Sequence, residues 1–192
     1  MDIRIFKNRL FFTSQDVANA NGISPASAHV LCSRYVRKGL FIRVKKNFYI
    51  LEQNWERYSS REFFQVCNYL QVPSYVSCMT ALVYYGITTQ VQQDWYENIT
   101  TRRSVSREAL GVCFLYHKIN PQYYSGFIKE SEFFMALPEK ALIDAAYLAN
   151  LGGSALDWDS MNLDLLKKTQ LSKLMAPYPE GVKSKIMSRC SI

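Results

Sequence analysis

GISPASAHVLCSRYVRKGLFIRVKKNFYIL, residues 22–51, packs a tight turn, a capped helix and a pair of strands into one stretch. Ser24 is placed to cap a helix whose first position is Pro25, where a missing N–H costs nothing, and Gly39 ends it. Within that helix Ala28, Leu31, Cys32, Tyr35 and Val36 follow the i, i+3, i+4, i+7, i+8 rule and predict one inward face. The opposite side carries Ala26, Val30, Ser33 and Arg37, flanked by Ser27 and Arg34. Small side chains near the N-terminus let a helix approach base edges closely, and arginines further along can meet phosphates. Leu40, Ile42 and Val44 then alternate before Lys45-Lys46-Asn47, and Phe48-Tyr49-Ile50-Leu51 reads as the return strand of a hairpin. Asn47 tolerates the left-handed conformation that such a turn needs.

Upstream, FTSQDVANANG (residues 12–22) supplies another helix, with Thr13 or Ser14 as its N-cap, Asp16 in the first turn and Asn21-Gly22 as its stop. Helix, turn, helix and basic hairpin together predict a winged helix-turn-helix over residues 1–55. The second helix would enter the major groove, and the wing would reach phosphate or the minor groove. Charge supports this. Residues 1–50 hold nine basic residues against Asp2 and Asp16, a net +7 equal to that of the whole chain, so residues 51–192 are neutral. A basic head on a neutral body is the expected distribution for a nucleic-acid-binding protein. Ser24, Ser27, Val30, Arg34 and Arg37 are the candidates for the major groove. Lys45, Lys46 and Asn47 are the candidates at the wing, with Lys38 and Arg43 for phosphates. His29 reads as a surface residue at the edge of the inward face.

A polar stretch at residues 52–59 separates this head from the body, residues 56–192. Ser59 or Ser60 opens a helix, FFQVCNYLQV, and Pro73-Ser74 leads into another, YVSCMTALVYYG, stopped by Gly86. Strands are expected at about 94–101, 111–119 and 126–137, the last interrupted around Glu130. A helix begins at Pro138 and ends at Gly152-Gly153. A more polar helical tail follows, with a basic, loose end after Pro177 and Pro179. The fold class is therefore α+β: a winged head, then helices flanking a small, mainly antiparallel sheet, then a helical C-terminal tail.

Length and composition narrow the function. The 192 residues are 48% hydrophobic and 14% aromatic, which excludes disorder and provides for a sizeable core. No apolar run approaches the roughly 20 residues that span a bilayer. The N-terminal segment lacks a signal-peptide core, so the protein is expected in the cytoplasm. Five isolated cysteines with no C-x-x-C pair and only two histidines argue against zinc or a disulfide framework, and predict small core residues. Motifs for phosphate loops, serine hydrolases and zinc hydrolases are missing from the sequence. The one catalytic-looking string is Gly152-Gly153-Ser154-Ala155-Leu156-Asp157-Trp158-Asp159, a Gly-Gly-Ser turn before a D-x-D that would hold magnesium. Only two residues intervene, where a helix of about ten is needed, and a helix stop followed by a cap at Asp157 or Asp159 accounts for it better. Neither a catalytic residue, a metal site nor a cofactor is expected. Arg102, Arg103 and Arg107 form a further basic cluster between strands, suited to phosphate or an acidic partner. Glu139, Lys140 and Asp144 read as surface or domain-packing polar neighbours.

Three passages resemble the AbiEi-type antitoxins, transcriptional regulators of type IV toxin-antitoxin systems acting in abortive infection. The winged head is similar in its Gly-Ile-Ser turn, its Lys-Gly before the wing and the aromatic pair after it. PSYVSCMTALVYYGIT matches the family's helix at Ser77, Ala81, Leu82, Gly86 and Thr88. LPEKALIDAAYL matches its Pro-Glu-Lys-Ala-Leu-Leu-Asp at Pro138, Glu139, Lys140, Ala141, Leu142, Ile143 and Asp144. Asn47 replaces a frequent wing glycine and Tyr85 a frequent histidine, while the last 40 residues match nothing. The resemblance implies a non-enzymatic, cytoplasmic repressor that binds double-stranded operator DNA as a monomer or homodimer. It also implies that the body counters a nucleotidyltransferase-type toxin without needing a stable complex with it. The alternative is a winged protein- or RNA-interaction module on a scaffold domain with no toxin partner.

Overall fold

The computed structural model describes residues 3–90 and 92–191. After a 3-10 turn at Ile3–Phe6, the head contains α1 (Ser14–Asn21), α2 (Pro25–Arg37) and the hairpin β1 (Phe41–Lys45) and β2 (Phe48–Leu51). The body follows as α3 (Glu52–Trp55), α4 (Ser60–Leu70), β3 (Ser74–Val76), α5 (Cys78–Tyr84), β4 (Trp95–Thr100), β5 (Val105–Ala109), β6 (Val112–Lys118), β7 (Phe127–Glu130), β8 (Phe133–Ala136), α6 (Pro138–Asn150), α7 (Lys168–Met175) and α8 (Glu180–Cys190). Among the described residues no helix is long and apolar enough to cross a membrane.

The head follows its sequence signals closely. Thr13 caps α1 in a full capping box with Asp16, and Gly22 closes it in the left-handed region. Ser24 caps α2, and its hydroxyl accepts from the Ser27 N–H. Ala28 and Cys32 are fully buried, with Leu31, Tyr35 and Val36 packed alongside, so the predicted inward face is the observed one. The hairpin is less simple than an alternating pattern suggested, because it is buried on both faces. Phe41, Tyr49 and Leu51 join the head cluster, whereas Ile42, Val44, Phe48 and Ile50 join the cluster of the body. A bridge from Phe12 to Tyr49 adds a third backbone segment to the wing sheet.

The body is a mixed six-stranded sheet in the order β5-β6-β4-β3-β8-β7. β3 pairs antiparallel with β4 and parallel with β8, and β4 pairs parallel with β6. Hairpin partners β5 and β7 close the two sides in antiparallel register. Four expectations need correction. Ser74–Val76 is strand rather than helix: Tyr75 and Val76 are completely buried between β4 and β8, a β-branched and aromatic pair suited to a central strand. Residues 52–59 are not a bare linker, since Trp55 packs edge-on against Phe63 at 5.1 Å and Asn54 donates to the Lys7 and Arg9 carbonyls. Arg107 lies in a strand that periodicity missed, where Val105 and Ala109 turn inward and Arg107 pairs with Phe114. The C-terminal end is a packed helix rather than a loose one, its Val182, Ile186 and Cys190 forming a buried i, i+4, i+8 stripe. The interruption near Glu130 is a true turn, with Ser131 at φ 56° between β7 and β8.

Glu139, Lys140 and Asp144 do serve domain packing, and from the interior. Lys140 is 1% exposed and Asp144 0%, and the two form an ion pair within α6. A charge taken out of water demands full hydrogen bonding. Asp144 Oδ2 accepts from the Ser77 hydroxyl at 2.7 Å and the Tyr75 hydroxyl at 3.0 Å. Lys140 Nζ also donates to the Tyr178 hydroxyl at 2.8 Å, which in turn faces Asp144 Oδ1 at 3.3 Å. Burial, followed by the Asp144 charge, pushes both phenols well above their ordinary range, keeping them as donors. The lysine stem lies against Gly126, where a Cβ would come within 3.1 Å of it at a φ of +75°. Glu139 holds the approach to α7 by accepting from the Lys167 N–H at 2.9 Å.

Lys140→Met should lower the unfolding free energy by about 3–5 kcal/mol, because it leaves a buried carboxylate unpaired. Urea denaturation should show this loss, and Lys140→Met/Asp144→Leu should recover part of it.

Candidate nucleic-acid interface

Caps and packing hold α2 with its polar side outward. Ala26, Ser27, Val30, Ser33, Arg34 and Arg37 are all exposed, and Val30 presents 61% of its surface. Neither Arg34 nor Arg37 makes an ion pair among the described residues. Ser33 is turned back on its own helix, donating to the His29 carbonyl. His29 is exposed at the helix edge with Nε2 3.3 Å from the Ser14 hydroxyl, which ties the start of α1 to α2. Ser24 and Ser27 lie at the helix N-terminus with their hydroxyls 2.9 Å apart. The helix dipole places partial positive charge at this end, which favours an anion.

The three wing candidates have different surroundings. Lys46 is exposed and forms no side-chain hydrogen bond or ion pair among the described residues. Lys45 is turned inward: its Nζ donates to the Tyr69 and Leu70 carbonyls, both at 2.9 Å, capping the C-terminal end of α4. Burial and the Arg107 charge hold its ammonium below the ordinary lysine range. Asn47 takes a φ of 58°, as its sequence position predicts, and its Oδ1 accepts from the Ser14 N–H at 2.8 Å and the Ser14 hydroxyl at 2.7 Å. The wing is thus clamped at its tip to α1 on one side and to α4 on the other. Arg43 and Lys38 remain exposed.

The expected cluster of Arg102, Arg103 and Arg107 separates. Arg102 and Arg103 line an open groove with Lys118, Gln71, Val72 and Thr101, and no carboxylate borders it. Gln71 donates to the Arg103 carbonyl at 2.9 Å, so this groove begins one residue beyond the carbonyls that hold Lys45. Arg107 stands apart on β5, half-buried, its Nε without a hydrogen-bond partner. Lys118 escaped the sequence reading because it ends a strand that is otherwise apolar. Only the parallel register of β4 and β6, opposing Thr100 to Lys118, brings it to the Arg102 loop.

Asp16 steadies the entry to α1. Burial pushes its carboxyl upward, but the Thr13 hydroxyl and N–H and the Arg9 guanidinium outweigh this and hold it below the usual carboxylate range. Its contribution to stability is present above the unfolded carboxylate pKa and is lost as the pH falls through the lower folded value.

Asp157 and Asp159 do not converge on a common point. Asp157 accepts from Gln90 at 2.6 Å, whereas Asp159, 94% exposed, faces Arg189 at 3.5 Å. Among the described residues no group of three His, Cys, Asp or Glu side chains could hold a metal ion. Cys78 follows a strand and opens α5 at a φ of 52°, a sharp turn that in other folds presents a nucleophile. Here its thiol is buried and raised well above its ordinary range, first by desolvation and then by the Glu97 and Asp144 charges. It is therefore protonated and a poor nucleophile.

The head is a winged helix-turn-helix whose recognition helix stands free. Residues 3–51, the head, match the family model described as transcriptional regulator, AbiEi antitoxin. No curated protein matches the chain.

Two outcomes test the site chemistry. Lys45→Ala should destabilise the fold by about 1 kcal/mol or more through the lost charged hydrogen bonds, while Lys46→Ala should stay within about 0.5 kcal/mol of the parent; thermal melts distinguish them. In titration with a disulfide reagent at pH 8, Cys113, which is half-exposed, should react first. Cys67, pushed up to about 12 by burial, and Cys78 should react only on unfolding.

Proposed function

We propose that this protein is a transcriptional repressor and antitoxin of the type IV kind, binding operator DNA upstream of its own gene pair. In this reading the body counters a nucleotidyltransferase-type toxin, and the protein acts in the cytoplasm without catalysing a reaction. The carrying observation is the outward face of α2. Small or apolar residues sit at its N-terminal half, unpaired arginines sit at its C-terminal half, and the head matches a regulator family.

The physical roles follow from placement. Ser24 and Ser27 approach phosphate at the helix N-terminus, and Val30 meets a thymine methyl. Arg34 reads a base edge, and Arg37, Lys38, Arg43 and Lys46 neutralise phosphates. Lys45 and Asn47 support the wing from behind and fix its angle. Arg102 and Arg103, with Lys118 beside them, extend the same charge along the flanking backbone. Two copies on repeated half-sites, as independent monomers or as a dimer, would double the readout.

Fluorescence anisotropy against the upstream duplex and a scrambled duplex should show a preference of about a hundredfold or more at about 200 mM salt. No binding at about 50 mM salt would overturn the assignment, and preference for RNA would replace it with an RNA-interaction module. Arg34→Ala should weaken specific binding by about 1–3 kcal/mol and relax preference at one position. Lys46→Ala should instead weaken binding to all sequences and lower the slope of log K against log salt by about 0.9.

A further inference from the structure

A cleft of about 490 Å3 opens on the body between the β4–β6 face of the sheet, α5, and the end of α6 with the loop that follows it. None of its lining residues comes from the head. Its size falls in the range of small-molecule sites, and its walls are mixed: Met79, Leu115, Leu148 and Leu156 supply apolar surface beside a few convergent polar groups. Across its mouth Gln90 donates to Asp157 at 2.6 Å, so the Gly152–Asp157 loop is tied down as a rim.

The electrostatics of this cleft run against those of the whole protein. The chain carries +7, yet the lining includes Glu97 and Asp157 and no lysine or arginine. The C-terminal end of α6, with the partial negative charge of its last carbonyls, adds to the same sign. Glu97 is held in place from behind, its Oε2 accepting from the Met79 N–H at 3.0 Å and its own N–H donating to the Thr80 hydroxyl at 2.8 Å. Its Oε1 accepts no hydrogen bond from a described residue. His117 Nε2 lies 3.6 Å away, beyond hydrogen-bond distance, and is itself without a hydrogen-bond partner. Trp95, 43% exposed, lines the same cleft.

We propose that this cleft binds a small amphipathic amine. The ammonium seats on Glu97 Oε1, the indole of Trp95 adds cation–π attraction, and the apolar part lies against Met79, Leu115, Leu148 and Leu156. Phosphorylated and carboxylate ligands are repelled by the two acids, which separates this site from the DNA-facing surface in sign as well as in place.

Three compounds of the same ring and different charge test it: phenethylamine, 2-phenylethanol and phenylacetate, titrated into the 15N-labelled full chain at pH 7. Phenethylamine should shift the Trp95 indole and the Gln90 and Gln92 side-chain amide signals saturably, with a Kd of about 1 mM or tighter. Its affinity should exceed that of either isostere at least about tenfold, one pairing's worth of discrimination. Glu97→Gln, which keeps an acceptor for Met79, should bring phenethylamine to the level of the alcohol. The rim variant Asp157→Asn should weaken it less. Equal affinity for all three compounds, no saturable shift with phenethylamine, or binding unchanged in both variants would overturn the proposal.

Discussion

The body is arranged around one ion pair taken out of water. Lys140 and Asp144 sit one turn apart in α6 with no measurable access to solvent between them, and an isolated pair in such a place would be strongly unfavourable. It persists because both Asp144 oxygens accept further hydrogen bonds and the Lys140 ammonium has a second acceptor in the Tyr178 hydroxyl. Ser77 and Tyr75 approach from the central strand and Tyr178 from the C-terminal segment. Each of these partners fixes a rotation or a register: α6 on the sheet, the start of α5 beside it, and the α7–α8 segment across the outside. The passages around Ser77 and around Lys140, far apart in the chain, are two halves of this one network.

The wing shows the same economy of position. A free hairpin would expose one face and place its tip by chance. Here both faces are covered, and the tip is bonded at Lys45 and Asn47. The angle between α2 and the wing is thereby set by the fold itself, the kind of preorganisation that spares ordering entropy in an interface. Arg34, Arg37, Lys38, Arg43 and Lys46 keep their solvent exposure on a rigid support.

Much of the head was legible in the sequence because its signals are local. Caps, Pro25, Gly22 and the five-residue apolar stripe act within one or two turns. The body was harder to read where distant partners decide. Ser74–Val76 looks like the start of a helix until β4 and β8 flank it, and Val105–Ala109 looks like a charged loop until β6 supplies its ladder. Asn54 and Trp55 sit in a polar stretch whose order comes from the Lys7 and Arg9 carbonyls and from Phe63. For the candidate interface, periodicity found the outward stripe of α2, but it had no means of separating Lys46 from Lys45. That distinction depends on carbonyls 24 and 25 residues further along the chain.

A hairpin that belongs to two cores also constrains how this protein can vary. Ile42, Val44, Phe48 and Ile50 would meet water if the chain were cut after β2, and the body would lose the same surfaces in return. The polar stretch after residue 51 resembles a splice point, yet exchange of heads among relatives by recombination there would succeed only where both sides of that seam had changed together. Variation that leaves both cores intact is thus channelled into the outward residues of α2, which no buried surface holds in place.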